Sequence, residues 1–174
     1  TVCADLNNDG RMDLLTTEIV HWDVGATSDG SEILINMKDS NVVFERPGNE
    51  STGLTRTHDI VAWNDGDITA AILDFDNDGR KDVYIGSTDY PGTRGLLYHQ
   101  GADGNFSAVP LDEGIDHARS HGVAIADFDR DGDLDMVIGH SSGRCDDDCP
   151  ESFHARFYEN QLGSGNFLQV KLQG

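Results

Sequence analysis

Basic residues are scarce in this chain: 12 Lys and Arg stand against 32 Asp and Glu, for a formal net charge of −20. A surface of that sign excludes a nucleic-acid binder held by phosphate contacts, because such a surface must be basic. Long apolar runs are missing as well. No stretch of 18 apolar residues occurs, so no helix is expected to span a membrane. No window keeps apolar residues at i, i+3, i+4 and i+7 over three turns, which argues against long helices. Proline is rare, at 4 residues, and a secretory leader is absent although Thr1 is no initiator, as expected of a processed or truncated chain. The His-Glu-x-x-His helix and the Gly-rich phosphate loop are missing, so the chain is expected not to be an enzyme.

What the chain does have is 20 Gly, and acids gathered into short Asp/Asn/Gly clusters, within a composition that is 37% hydrophobic. That apolar share is enough for a packed core, and the length fits a single domain over 1–174. Turn residues at regular intervals between short apolar stretches predict an all-β chain.

Three segments align without gaps: residues 2–15 (VCADLNNDGRMDLL), 71–84 (AILDFDNDGRKDVY) and 124–137 (AIADFDRDGDLDMV). Each is followed by a second apolar stretch, at 33–36, 96–99 and 156–160, and then by a third, at 42–44, 105–106 and 166–168. Each unit therefore reads strand, acidic loop, strand, variable loop, strand, turn, strand. Four short antiparallel strands in about 50–60 residues is the content of one propeller blade. The expected architecture is thus propeller-type blades of four strands, three repeats with approximate limits 1–58, 59–112 and 113–174. Strands flanking the loops are apolar on both faces, which suits inner strands sandwiched between neighbouring sheets.

Counted from its first Asp, each loop places side-chain oxygens at positions 1, 3, 5 and 9, with Gly at 6. These are Asp5, Asn7, Asp9 and Asp13 in the first loop, Asp74, Asp76, Asp78 and Asp82 in the second, and Asp127, Asp129, Asp131 and Asp135 in the third. Alternate spacing at 1, 3 and 5 lets three side chains converge from a curled loop. More than four hard oxygens on one point is what Ca²⁺ requires, and Mg²⁺, which keeps its waters, fits less well. Position 7, occupied by Arg11, Arg80 and Asp133, is expected to offer its main-chain carbonyl. Without a cation the carboxylates would repel or take up protons. Three Ca²⁺ sites are expected, with the Asn7 loop the weakest because it has one carboxylate fewer. An EF-hand fails on two counts, since position 12 is Thr16, Ile85 or Ile138 and both flanks are strand-like.

These loops with their flanking strands resemble FG-GAP or VCBS-type repeats, the calcium-binding blade motif of integrin α-chain propellers and of many secreted bacterial proteins. The closing stretch 165–174 is similar to the start of the module that follows such repeats in cartilage acidic protein and its bacterial relatives. The resemblance implies an extracellular or secreted protein, an adhesive or scaffolding role, and calcium as a structural ion at positions 1, 3, 5, 7 and 9. Three blades would leave two open faces, so either further blades or other copies are expected to cover them, as a ring or a filament. Self-association, another extracellular protein and a glycan are the expected partners. The main rival reading is a carbohydrate-binding propeller or a fragment of a polysaccharide-active enzyme, with Trp22, Trp63 and Tyr90 as its candidate aromatics. Cys145 and Cys149 read as a loop-closing disulfide, with a zinc site formed with His140 and His154 as the alternative. Cys3, inside a strand, is expected to be a buried thiol.

Overall fold

The computed structural model describes residues 1–20, 30–37, 42–56, 65–90, 92–144 and 154–162. It is an all-β chain arranged as three antiparallel sheets. The first contains β1 (Val2–Ala4), β2 (Asp13–Thr16), β4 (Glu32–Met37) and β5 (Val43–Glu45), hydrogen-bonded in that order. The third contains β10 (Ser120–Ala126), β11 (Asp135–His140) and β12 (Arg156–Tyr158). Between them the second contains β6 (Asp65–Leu73), β7 (Asp82–Ser87), β8 (Leu96–Gln100) and β9 (Phe106–Ala108), and it gains a short edge strand, β3 (Ile19–Val20), from the first unit. The expected fourth strand of the third unit, at 166–168, lies outside the described residues, as do Trp22, Trp63, Cys145 and Cys149. One helical turn, α1 (Asn49–Thr52), ends on Gly53 at φ 75°. A Cβ there would run into the Phe106 carbonyl, so both the backbone angle and the space demand glycine.

The acidic loops connect β1 to β2, β6 to β7 and β10 to β11, and the registers of the three hairpins correspond residue for residue. Ala4 faces Asp13, Leu73 faces Asp82 and Ala126 faces Asp135. Because successive side chains point to opposite faces of a strand, each sheet presents one set of side chains to the sheet before it and the other set to the sheet after it. Val83, Ile85 and Tyr98 pack with Leu6, Leu15 and Ile33 in a core between the first and second sheets. Tyr84, Leu97 and Leu73 pack with Met136 and Ile138 in a second core, between the second and third. The middle hairpin is apolar on both faces for this reason, and Val83 and Tyr84 are wholly buried.

The same alternation corrects one expectation. Cys3 is not a buried thiol but an exposed one. It aligns with Ile72, which packs into the first core, and with Ile125, which packs into the second. All three point toward the preceding sheet, and no described sheet lies on that side of β1.

Polar bonds cross each joint in matching places. Gln100 Nε2 donates to the Leu6 carbonyl at 2.8 Å, and Asn160 Nδ2 donates to the Phe75 carbonyl at 2.5 Å. At position 4 of the loops, Asn8 Nδ2 donates to the Gly79 carbonyl and Asn77 Nδ2 to the Gly132 carbonyl, each at 3.4 Å. Asn8 and Asn77 hold φ of 57° and 56°, a left-handed conformation that Asn tolerates better than most residues.

The second joint also buries an imidazole. His117 is 3% exposed, its Nδ1 lies 3.1 Å from the Tyr158 hydroxyl, and its ring centroid is 6.0 Å from that of His140. Burial, then the positive charge of His140 and Arg156, holds its pKa below the usual histidine value, against smaller pulls from the Gly139 backbone and then from Asp116. The unfolded chain therefore takes up a proton on this His at a higher pH than the folded one. The stabilisation is complete above the unfolded value of 6.5 and drains away as the pH falls from there. The melting temperature in chelator is expected to drop on acidification through this window. The drop should shrink in His117→Gln, and an unchanged pH profile in that variant would refute the assignment.

Candidate metal centre

Each acidic loop is curled by its own side chains. The position 1 carboxylate reaches across it: Asp5 accepts from the Asp9 and Gly10 amides at 3.0 and 2.8 Å, and Asp74 from Asp78 and Gly79, both at 3.0 Å. Asp127 accepts from Gly132 at 3.2 Å. Gly10, Gly79 and Gly132 sit at φ 85°, 90° and 100°. For Gly10 and Gly79 a Cβ would meet nothing within 4 Å, so the backbone angle alone selects glycine there.

Position 9 is the deepest part of the site. Asp13, Asp82 and Asp135 are 0%, 0% and 1% exposed, and each uses both carboxylate oxygens on backbone amides. Asp82 accepts from Phe75 at 3.0 Å and from Gln100 at 2.8 Å. Asp13 does the same with Leu6 and Asn36, and Asp135 with Phe128 and Asn160. This Asp therefore ties the loop to the start of its own turn and to the end of the third strand. Each oxygen keeps a lone pair for another partner.

Positions 1, 3 and 9 come together. In the second loop Asp74, Asp76 and Asp82 each place an oxygen within 4.8 Å of the others, and in the third Asp127, Asp129 and Asp135 do likewise. Oδ1 of Asp127 is buried and has no hydrogen-bond partner. Asp129 is held above the usual carboxylate value: the Asp131 amide pulls it down, but desolvation and the charges of Asp131 and Asp135 outweigh that. Burial raises Asp82 too, against its two amide bonds. Such crowding of hard anionic oxygens is what a divalent cation relieves. In the first loop Asn7 stands at position 3 and gives its amide to Asp9 at 2.9 Å.

Position 5 behaves differently. Asp9 pairs with Arg11 and Asp78 with Arg80, and each guanidinium also donates through Nε to a third-strand carbonyl, Asn36 O at 2.8 Å or Gln100 O at 2.7 Å. The side chain at position 7 is thus a brace, a role its expected carbonyl function did not suggest. The third loop has Asp133 there, 6% exposed, and it accepts from Asn77 Nδ2 across the joint at 2.7 Å. Asp131 accepts from the Asp133 amide at 2.9 Å.

His99 was not singled out by its spacing, yet it belongs to the second site. Its Nε2 lies 3.2 Å from Asp76 and 3.5 Å from Asp78, and its ring packs edge-on against Phe75. The clue was its place near the end of the third strand of the unit, where the other units carry Ile35 and Glu159. Of the carbohydrate candidates, Tyr90 has the Arg144 guanidinium 4.4 Å above its ring, and Asp89 beside it pairs with Arg144 and accepts from Ser141. His140 Nδ1 donates to the Ala118 carbonyl at 3.1 Å.

The span from the second loop to the strand after the third is the part that compares with known proteins. Residues 74–138 match an FG-GAP-like repeat. The FG-GAP-like segment starts on Asp74, at position 1 of the second loop, and ends on Ile138 in β11, so it contains both loops in which three carboxylates converge. The first loop lies outside it but keeps the same register. No curated protein matches the chain.

Proposed function

We propose that this chain is a calcium-binding, non-catalytic repeat module of propeller-type blades that works outside the cell in a structural or adhesive role. The supporting observation is the convergence of positions 1, 3 and 9 in the second and third loops, at hairpins whose strands form both cores. In this reading Asp74, Asp76 and Asp82, and Asp127, Asp129 and Asp135, supply ligands, with position 5 and the position 7 carbonyl completing each shell. The first loop takes the third and weakest ion through Asp5, Asn7, Asp9 and Asp13. A cation so placed closes the loop against the third strand and fixes the hairpin that packs on the neighbouring blade.

Calorimetric titration of chelator-stripped protein with Ca²⁺ tests this directly. Up to three sites are expected, one of them lost in Asp129→Ala, and the weakest should tighten several-fold in Asn7→Asp because ligand charge tunes affinity. In chelator Asp129→Ala should melt with the wild type, since its side chain is exposed and its neighbours repel it. Absence of binding heat at millimolar Ca²⁺, or equal losses in both buffers, would overturn the reading.

A further inference from the structure

We infer that the second and third loops fill as a coupled pair, an ion in either one tightening the other, while the first loop fills on its own. This rests on the calcium reading above and goes beyond it, since three similar loops need not sense one another. It is carried by a tie between loops that is present at the second joint and missing from the first.

Asn77 stands at position 4 of the second loop, between Asp76 and Asp78. Its Nδ2 donates to Asp133 Oδ1 at 2.7 Å and to the Gly132 carbonyl at 3.4 Å. Both acceptors belong to the third loop, and Asp133 is the residue whose main-chain carbonyl completes the third shell in that reading. Asp133 is 6% exposed, so this bond is shielded from competing water. The Asp133 amide donates in turn to Asp131 Oδ1 at 2.9 Å, and the Asp78 amide donates to Asp74 and Asp76 at 3.0 and 3.2 Å. Hydrogen bonds therefore run without a break from the curl of one loop into the curl of the next. An ion that fixes the third loop fixes Asp133, and Asp133 fixes Asn77 with the carboxylates on either side of it. The second ion then meets ligands already in place, and linkage makes the effect reciprocal.

At the first joint the same tie is not made. Asn8 has one exposed bond across it, 3.4 Å to the Gly79 carbonyl, which is beyond the usual length. Position 7 there is Arg80, whose guanidinium turns back onto Asp78 and the Gln100 carbonyl of its own unit. The second joint thus has a carboxylate at the boundary of two cation-holding loops, which offsets the repulsion between the ions, where the first has a cation. The remaining bridges are alike at both joints. Gln100 links the Leu6 carbonyl to Asp82, and Asn160 links the Phe75 carbonyl to Asp135. These run through the buried position 9 carboxylates, which hold their amides with or without an ion, so they give neither pair of loops a means of sensing the other's ion.

Amide NMR of the chelator-stripped 174-residue chain, titrated with Ca²⁺, resolves the loops through the position 6 amides of Gly10, Gly79 and Gly132. Gly79 and Gly132 are expected to shift together, over a narrower calcium range than independent binding spans, and Gly10 separately. Asp129→Ala should raise the calcium midpoint at Gly79 by at least about fivefold, the lower end of site-to-site coupling, and leave the Gly10 midpoint in place. Asn77→Gly removes the donor and suits the φ of 56° at that position. In its background Asp129→Ala should no longer move the Gly79 midpoint. A Gly79 midpoint indifferent to Asp129→Ala in the otherwise wild-type chain overturns the coupling and leaves the calcium reading intact. Coupling that survives Asn77→Gly, or that moves Gly10 as far as Gly79, overturns the tie as its carrier. Glycine amides that ignore millimolar calcium overturn the calcium reading, and the coupling with it.

Discussion

Asp82→Ala is expected to destabilise the protein by about 4 kcal/mol in chelator, the sum of two buried amides each left without a partner at about 1–3 kcal/mol, and by more in calcium, where a ligand of the second ion is lost as well. The reason is the position of this carboxylate. It is wholly buried, and its two oxygens hold the amides of Phe75 and Gln100, which join the loop to β8. Alanine removes both acceptors at once. With roughly 2–4 °C lost per kcal/mol for a chain of this size, the melting temperature should fall by about 10 °C, as followed by circular dichroism. Asp129→Ala is the contrast, because its effect should disappear when calcium is removed. If Asp82→Ala matched the wild type in chelator, the buried clamp would be refuted and Asp82 would be a metal ligand only.

Withdrawing calcium from the wild-type protein should have the larger effect. A ligand held at a hundredfold above its dissociation constant stabilises the folded state by about 2.7 kcal/mol per site. Taken separately, three sites would then contribute about 8 kcal/mol, a shift of roughly 15–30 °C at the same slope. Extracellular calcium modules bind at about 10⁻⁴–10⁻³ M, so on the proposed reading tens of millimolar calcium are needed for the full shift. The gap between calcium and chelator should narrow as the pH falls, since protons compete for the same oxygens. A chelator scan that overlays the calcium scan at neutral pH would remove calcium from the account of this fold.

The all-β class, the three hairpins and the loop residues were legible because each rests on a short-range pattern that occurs three times. Gly10, Gly79 and Gly132 mark the curl, and Asp at positions 1 and 9 brackets it. What escaped was decided by partners distant in sequence. Cys3 looks like a core residue in β1, and only the stacking order shows that its side of the strand has no described neighbour. Arg11 and Arg80 look like solvent-facing loop residues, and their bracing role depends on carbonyls 25 and 20 positions away. His99 joined the second site because β8 ends beside the loop, which spacing within the loop cannot report. At position 9 the sequence suggested a ligand, and the burial that also makes it a structural clamp depends on the Gln100, Asn36 and Asn160 amides brought in by the third strands.

The edge strand β3 bears on how this molecule responds to load. Ile19–Val20 leaves the first unit and pairs with Gly66 and Asp65 at the start of β6, and the Asp67 amide adds a bond to the Glu18 carbonyl at 2.9 Å. Repeat arrays usually lose their units one at a time, each held by its neighbour's surface. Here the first unit cannot peel away without shearing a row of backbone hydrogen bonds out of the second sheet, so a pull on the amino-terminal side is carried into the centre of the chain. The first two units should therefore yield to force in one event rather than two.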